Sequence, residues 1–118
     1  MSWKLFLDDE RFPEEPGFTI ARDNETAIEL VLEKGLPIHI SFDFYLEGDN
    51  TTEYFAYWLC RHIEEGNPLP EGFTYSTHSA STEGREVIRK MMDERVLVKD
   101  KEIKKQLNKA QEEKQTLV

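Results

Sequence analysis

The sequence has a single cysteine, Cys60, and no hydrophobic run long enough to span a bilayer. One thiol cannot form an internal disulfide, which agrees with a reducing compartment, and a lone cysteine in a helical pattern is typical of a small buried apolar side chain. The N-terminus also lacks the charged and then apolar order of a signal peptide. These absences predict a cytoplasmic protein with no membrane partner, and the length of 118 residues fits one domain.

Positive charge is also scarce. The chain has 15 Lys and Arg against 24 Asp and Glu, which gives a formal net charge of −9. Sequence-independent affinity for nucleic acid depends on basic side chains that neutralise phosphates, so direct binding to a nucleic-acid backbone is not expected. An acidic surface is consistent with simple solvation, and also with a patch that binds a basic protein partner or a cation.

Short apolar runs alternate with helical patterns along most of the chain. The strand-like runs are 3–7, 18–22, 37–46 and 73–79, and the helical patterns are 23–35, 51–67 and 82–94. This alternation predicts an α/β fold with three layers, in which helices cover both faces of a parallel sheet. We expect residues 1–95 to form this domain. Residues 96–118 are rich in Lys, Glu and Gln, and we expect a C-terminal extension that is helical or partly disordered.

Polar residues follow three of the predicted strands. Asp8 and Asp9 come directly after the first strand, Asp43 lies near the end of the third, and His78 and Ser79 end the fourth. The carboxyl ends of parallel strands meet at one edge of a sheet, where functional groups collect. Clustered carboxylates repel one another, and Mg²⁺ relieves this repulsion because it prefers oxygen ligands. The pattern predicts Mg²⁺ as cofactor, bound by the three aspartates.

A solvated turn is the alternative for the residues after the first strand. In that case Asp9, Glu10 and Arg11 form only local ion pairs. Asp43 favours a site, because an acid after the apolar run HISF is costly unless it finds a partner or reaches the sheet edge. Zinc is not expected, since a zinc site usually contains several His or Cys.

Three further residues have side chains suited to phosphate chemistry. His78, beside Ser79, could act on a phosphate or orient a water molecule, and Arg85 could hold a phosphate at the start of a helix. The alternatives are a hydrogen-bonded structural histidine and an ordinary surface arginine. The candidate catalytic residues are Asp43, His78 and Ser79, and the candidate phosphate-binding residues are Ser79 and Arg85.

The order of these motifs resembles the receiver domain of two-component response regulators. The closer similarity is to a receiver-like family proposed to process cyclic phosphates, through LFLDDERFP, ISFD, YFAYWL and HSASTEGR, between Lys4 and about Met91. This resemblance implies a flavodoxin-like fold whose sheet has about four strands in the order 2-1-3-4. It also implies a small phosphate-containing ligand.

Two features depart from these families. No fifth strand with a Lys-Pro pair follows Ser79, so ordinary phosphotransfer is not expected. Phe44 and Tyr45 stand where the cyclic-phosphate family usually has His and Asp, which removes a general acid or base and a carboxylate. These losses favour a degenerate receiver-like module that binds a protein partner through an acidic surface. The retained acids favour a Mg²⁺-dependent enzyme acting on a cyclic or nucleotide phosphate, so the sequence leaves catalysis undecided.

Overall fold

The computed structural model describes residues 2–116, and the side chains of residues 2–113. The strands are β1 (Lys4–Leu7), β2 (Phe18–Ala21), β3 (His39–Phe42) and β4 (Thr74–Thr77). The helices are α1 (Asn24–Lys34), α2 (Glu53–Glu64), α3 (Thr82–Met91) and α4 (Leu97–Thr116). A π-helical segment, Met92–Val96, joins α3 to α4. No helix in this part of the chain is long and apolar enough to cross a membrane.

The four strands form one parallel sheet in the order β2-β1-β3-β4. The α/β fold and the strand order predicted for a receiver-like domain are therefore confirmed. The last residues of the strands lie in register, with Leu7 paired to Ala21 and Phe42, and Phe42 paired to Thr77. The residues that follow each strand consequently lie next to one another at the carboxyl edge of the sheet.

The hydrophobic core lies between one face of the sheet and the helices. Leu5, Leu7, Ile40 and Phe42 are fully buried on this face, at alternate positions of the two central strands. They belong to one cluster with apolar residues from all four helices, namely Ala27, Val31, Phe55, Leu59, Ile63, Ile88 and Ile103. Burial of these side chains is the main force that holds the helices against the sheet.

The opposite face of the sheet carries Phe6, His39 and Ser41, which alternate with the core residues. The loop between β1 and β2 borders this face and, together with these strand residues, lines a cavity of about 540 Å³. Helices thus cover one face, whereas the alternation of elements predicted helices on both. The β1–β2 connection forms no helix because Pro13 and Pro16 cannot donate backbone hydrogen bonds within it.

Helix α4 is attached to the domain by its first turns. Ile103 is buried in the core cluster, and the buried carboxylate of Asp100 accepts a hydrogen bond of 2.7 Å from the backbone N–H of Leu69. Lys104 forms an ion pair of 2.7 Å with the same carboxylate. Residues 105–113 are exposed. The boundary after residue 95 stays a prediction, and residues 117 and 118 of the extension lie outside the described residues.

A chain that ends at Asn108 is expected to be about as stable as the full chain, because the deleted segment adds no buried side chain in its described part. Thermal unfolding of the two chains measures this. A fall in the unfolding temperature of more than about 4 °C, which corresponds to a loss of roughly 1 kcal/mol in the free energy of unfolding, would contradict it. A chain that ends at Lys99 serves as the comparison. It lacks Asp100 and Ile103 and should unfold at a clearly lower temperature.

Candidate functional site

The carboxylate of Asp8 lies directly after β1 and is fully buried. One oxygen, Oδ1, accepts hydrogen bonds of 2.9 Å from the backbone N–H groups of Glu10 and Arg11. The other, Oδ2, accepts hydrogen bonds from Arg11 Nε at 3.0 Å and His78 Nε2 at 2.9 Å. Burial acts to raise the pKa of Asp8, but these four donors outweigh it and lower this pKa below its ordinary value. Asp8 is therefore an ionised carboxylate with all its acceptor positions in use.

The guanidinium of Arg11 lies between two carboxylates. Its Nε contacts Asp8, and its Nη2 lies 3.3 Å from Oδ1 of Asp43. The same Nη2 donates a hydrogen bond of 3.1 Å to the carbonyl oxygen of His78. Arg11 therefore connects the residues that follow β1, β3 and β4, and it supplies positive charge where the two aspartates would otherwise repel each other.

Asp43 follows β3 and is also buried. Its Oδ1 accepts a hydrogen bond of 2.8 Å from the backbone N–H of Phe44, and its carbonyl oxygen accepts one of 2.7 Å from the hydroxyl of Thr52. Among the described residues, none donates a hydrogen bond to its second carboxylate oxygen. The Asp43 side chain is thus held in one orientation, and its second carboxylate oxygen is available to accept a hydrogen bond or bind a ligand.

One ligand atom each from Asp8, Asp43 and His78 lies within 4.8 Å of the others. These atoms form a possible metal-binding group, which has two of the three aspartates predicted from the sequence. The structure places Asp9 elsewhere, half-buried in the wall of a separate cavity. The role of Asp8, Asp9 and Asp43 as metal ligands remains a prediction.

His78 joins the carboxyl edge to the helix-free face of the sheet. Its ring stacks on Phe6 at 4.3 Å, and its Nδ1 lies 2.7 Å from the hydroxyl oxygen of Ser41. Because ionised Asp8 can only accept, His78 Nε2 carries the hydrogen. Burial lowers the pKa of His78 despite the opposing effect of Asp8, so the ring is neutral near pH 7. Its Nδ1 then accepts a hydrogen bond from Ser41.

Ser79 and Arg85 make contacts at the start of α3. The hydroxyl oxygen of Ser79 accepts a hydrogen bond of 3.2 Å from the backbone N–H of Ser81. Arg85 donates to the carbonyl oxygen of Ser79 at 2.6 Å and to the hydroxyl of Thr82 at 3.2 Å. Ser81 caps the helix by accepting from the backbone N–H of Gly84. These contacts stabilise the start of α3, and the predicted phosphate-binding and catalytic roles remain untested.

Phe44 and Tyr45, the two positions that depart from the family pattern, have different surroundings. Phe44 is buried against α3, where a Cβ atom added to Gly84 would lie 2.7 Å from the Phe44 Cβ atom. Only glycine permits such a close approach at position 84. Tyr45 is exposed at the surface. Neither side chain offers a ligand or an acid to the group around Asp8.

A second cavity, of about 680 Å³, opens at the carboxyl edge, and we call it the acidic cavity. Its acidic lining residues are Asp9, Asp23, Glu25, Glu47 and Asp49. The exposed ring of Tyr54 also lines it. The amide nitrogen of Asn24 donates to the carbonyl oxygen of Thr51 at 2.9 Å. Its Oδ1 is the one buried side-chain atom in the described residues without a hydrogen-bond partner.

Sequence reasoning missed the positions of Arg11 and Ser41. Arg11 was considered only as a partner in local ion pairs, although its spacing of three residues from Asp8 fits a turn that returns to the carboxylate. Ser41 was not considered as a functional residue. Ser41 lies in β3 two residues before Asp43, and residues two apart in an extended chain point to the same side, which is a usable indication.

The comparisons with known proteins agree with this architecture. The sequence model of one family, described as the cyclic-phosphate processing receiver domain, matches residues 3–94. No significant match was found among curated proteins or among solved structures. The family match spans the whole sheet and helices α1 to α3. The chain therefore belongs to the cyclic-phosphate processing receiver domain family.

Proposed function

We propose that this chain is a degenerate receiver-like module in which Arg11 replaces a bound metal ion, and that it binds a basic protein partner through the acidic cavity. The observation that carries the proposal is the contact of one guanidinium with both Asp8 and Asp43, at 3.0 and 3.3 Å. In this arrangement a side chain of the protein performs the charge compensation that a cation would provide.

With Arg11 in this position, the residues do not fit Mg²⁺. Each oxygen of Asp8 already accepts two hydrogen bonds, so a metal ion would have to displace donors that the fold holds in place. Mg²⁺ requires near-octahedral geometry and gives up its water molecules reluctantly. Replacing the guanidinium by a hydrated ion would also break its bond to the His78 carbonyl oxygen. The intact network therefore favours a module that works without metal.

The acidic cavity has the chemistry to bind a basic partner. Five carboxylates line it, those of Asp9, Asp23, Glu25, Glu47 and Asp49. An ammonium or guanidinium group that entered the cavity would neutralise these acids and form charge-assisted hydrogen bonds with them. The one basic lining residue, Arg22, offsets only one of these five charges, and its guanidinium is held by hydrogen bonds to the carbonyl oxygens of Asp8 and Arg11.

A tetralysine peptide is expected to bind in the acidic cavity. Titration followed by backbone amide NMR shifts should perturb the residues around Asn50, and added salt should weaken the binding because ions screen exposed charges. The Glu47→Gln, Asp49→Asn double variant should bind at least about fivefold more weakly, through loss of two nearby attractive charges.

The matched control removes two charges from the exposed side of α1, as Glu29→Gln with Glu33→Gln, outside the cavity. This variant should keep nearly the original affinity. Equal weakening by the two double variants would show that the peptide senses only the overall negative charge, and the proposed binding surface would be wrong.

The second candidate function is a Mg²⁺-dependent enzyme that acts on a cyclic or nucleotide phosphate. It is favoured by the 4.8 Å grouping of Asp8, Asp43 and His78, and by the carboxylate oxygen of Asp43 that accepts no hydrogen bond from a described residue. This function requires Arg11 to leave both aspartates. Saturable Mg²⁺ binding by the unaltered protein would support it over the first proposal.

A further inference from the structure

Ser41, His78 and Asp8 form a continuous hydrogen-bonded chain at the helix-free face of the sheet. The hydroxyl oxygen of Ser41 lies 2.7 Å from His78 Nδ1, and His78 Nε2 lies 2.9 Å from Asp8 Oδ2. Asp8 is fully buried, and the His78 side chain is 21% exposed. The order of the groups is hydroxyl, imidazole and carboxylate, which is the arrangement that activates a serine for nucleophilic attack.

The hydrogen-bond directions in this chain suit proton transfer from Ser41. Because the Asp8 carboxylate only accepts, it fixes the imidazole hydrogen on Nε2 and directs the lone pair of Nδ1 at the serine hydroxyl. The ring is also held by stacking on Phe6, with an angle of 6° between the two planes. Asp8 is thus a positioning residue, and His78 has the orientation of a general base.

Ser41 faces a cavity that could admit a small substrate. The cavity of about 540 Å³ is lined by Ser41 and His78 together with the aromatic side chains of Phe6, Phe12 and Phe18. No helix covers this face in the described part of the chain, and residues 11–15 of the loop between β1 and β2 line one side of the cavity. The aromatic side chains favour a substrate with an apolar group, and Glu14 and Glu15 in the same lining disfavour a negatively charged one.

Arg11 provides a donor beside the same cavity. Its side chain is 47% exposed and lines the cavity, and its Nη1 donates no hydrogen bond to any of the described residues. A positive donor next to the nucleophile can stabilise the negative charge that develops on a carbonyl oxygen during attack. Arg11 would therefore serve two purposes, as an ion-pair partner of the aspartates and as an oxyanion donor.

We propose that Ser41 is the nucleophile of a metal-free esterase site, with His78 as general base and Asp8 as positioning residue, for small carboxylic esters with an apolar acyl group. This activity goes beyond the proposed binding function and does not depend on it. The two sites lie in different cavities, and no described residue lines both.

The proposed reaction has two balanced steps. The oxygen of Ser41 forms a bond to the carbonyl carbon of the ester while its proton moves to His78 Nδ1. The carbon–oxygen bond of the ester then breaks, and the alcohol leaves with the proton from His78. Water hydrolyses the acyl-serine in the same way, releasing the carboxylic acid and restoring Ser41 and neutral His78.

The test uses the full chain with an alkyl fluorophosphonate and, separately, with p-nitrophenyl butyrate. Intact-mass analysis should show one phosphonyl group, with loss of fluoride, and peptide mapping should place it on Ser41. Ester hydrolysis should exceed that in buffer, and Ser41→Ala should lower it at least about 100-fold, because the nucleophile that forms the acyl intermediate is lost. His78→Gln should lower both the labelling rate and the hydrolysis.

Thr19→Ala is the control, because it removes a hydroxyl from β2 on the helix-covered face and should leave labelling and hydrolysis unchanged. Far-UV circular dichroism and thermal unfolding establish that each variant is folded. No adduct on the folded protein would overturn the proposal, and so would an adduct that persists in Ser41→Ala. Unchanged ester hydrolysis in Ser41→Ala would overturn it as well.

Discussion

Asp8→Ala is expected to destabilise the domain by about 3 kcal/mol, because it leaves several donors without their acceptor. The backbone N–H groups of Glu10 and Arg11, the ring of His78 and the guanidinium of Arg11 all donate to this carboxylate. The guanidinium is half exposed and regains water, so the loss falls at the lower end of the range for a buried ion pair.

Asp9→Ala is the matched control, since it removes the same group from the next position. The side chain of Asp9 is half-buried and has no hydrogen bond or ion pair in the described structure. Its removal should therefore change the free energy of unfolding by no more than about 0.5 kcal/mol. Thermal unfolding should show a fall of roughly 10 °C for Asp8→Ala and almost none for the control. Equal effects at the two positions would show that the network around Asp8 contributes nothing particular to stability.

The loss of stability caused by Asp8→Ala is expected to depend on pH. The pKa of Asp8 is lowered in the folded state from an ordinary value of 3.8. This carboxylate therefore binds a proton less readily in the folded protein than in the unfolded chain. The stability that Asp8 contributes is therefore complete above that ordinary value and is lost as the pH falls through the lower, folded value. The difference in the free energy of unfolding between wild type and Asp8→Ala should accordingly become smaller in strong acid.

Much of the arrangement at the sheet edge follows from the sequence. The apolar runs that end at Leu7 and Phe42 identify two central strands, and parallel pairing brings their ends into register. Asp8, Asp43 and His78 must then meet, because each comes directly after a strand of the same sheet. Strand ends are predictable in this way because short buried strands have strongly apolar composition and abrupt polar boundaries.

Contacts made by long side chains and by loops could not be predicted in the same way. Arg11 lies in a loop without periodicity, and its reach to Asp43 depends on a backbone path that no local pattern specifies. The contact between Ser41 and His78 lies on the face of the sheet that lacks helices. The alternation of strands and helices in the sequence had favoured helices on both faces. The apolar pattern of α2 would place Tyr54 on the buried face of the helix, whereas the structure exposes Tyr54 and buries Ala56.

Arg11→Met is expected to convert the aspartate pair into a divalent-cation site. The substitution removes the positive charge but keeps an unbranched side chain, so Asp8 and Asp43 are left close together without compensation. Mg²⁺ should then raise the unfolding temperature of the variant, since a ligand that binds only the folded state stabilises it. At a concentration ten times the dissociation constant, the gain is about 1.4 kcal/mol, or roughly 5 °C.

Arg89→Met is the control for this change. Arg89 forms an exposed ion pair with Glu86 on α3, so its loss removes the same charge from a position remote from the aspartates. This variant should show the same small response to Mg²⁺ as the unaltered protein. A similar Mg²⁺ response in both variants would mean that the ion interacts with the overall negative charge.

The central claim, that Arg11 occupies the place of a metal ion, is tested most directly by isothermal titration of the unaltered protein with Mg²⁺ and with Mn²⁺, alongside Arg11→Met. We predict no saturable binding to the unaltered protein at millimolar concentration, and saturable binding to Arg11→Met. Saturable binding to the unaltered protein that disappears in Asp43→Asn would contradict the claim and identify a functional metal site.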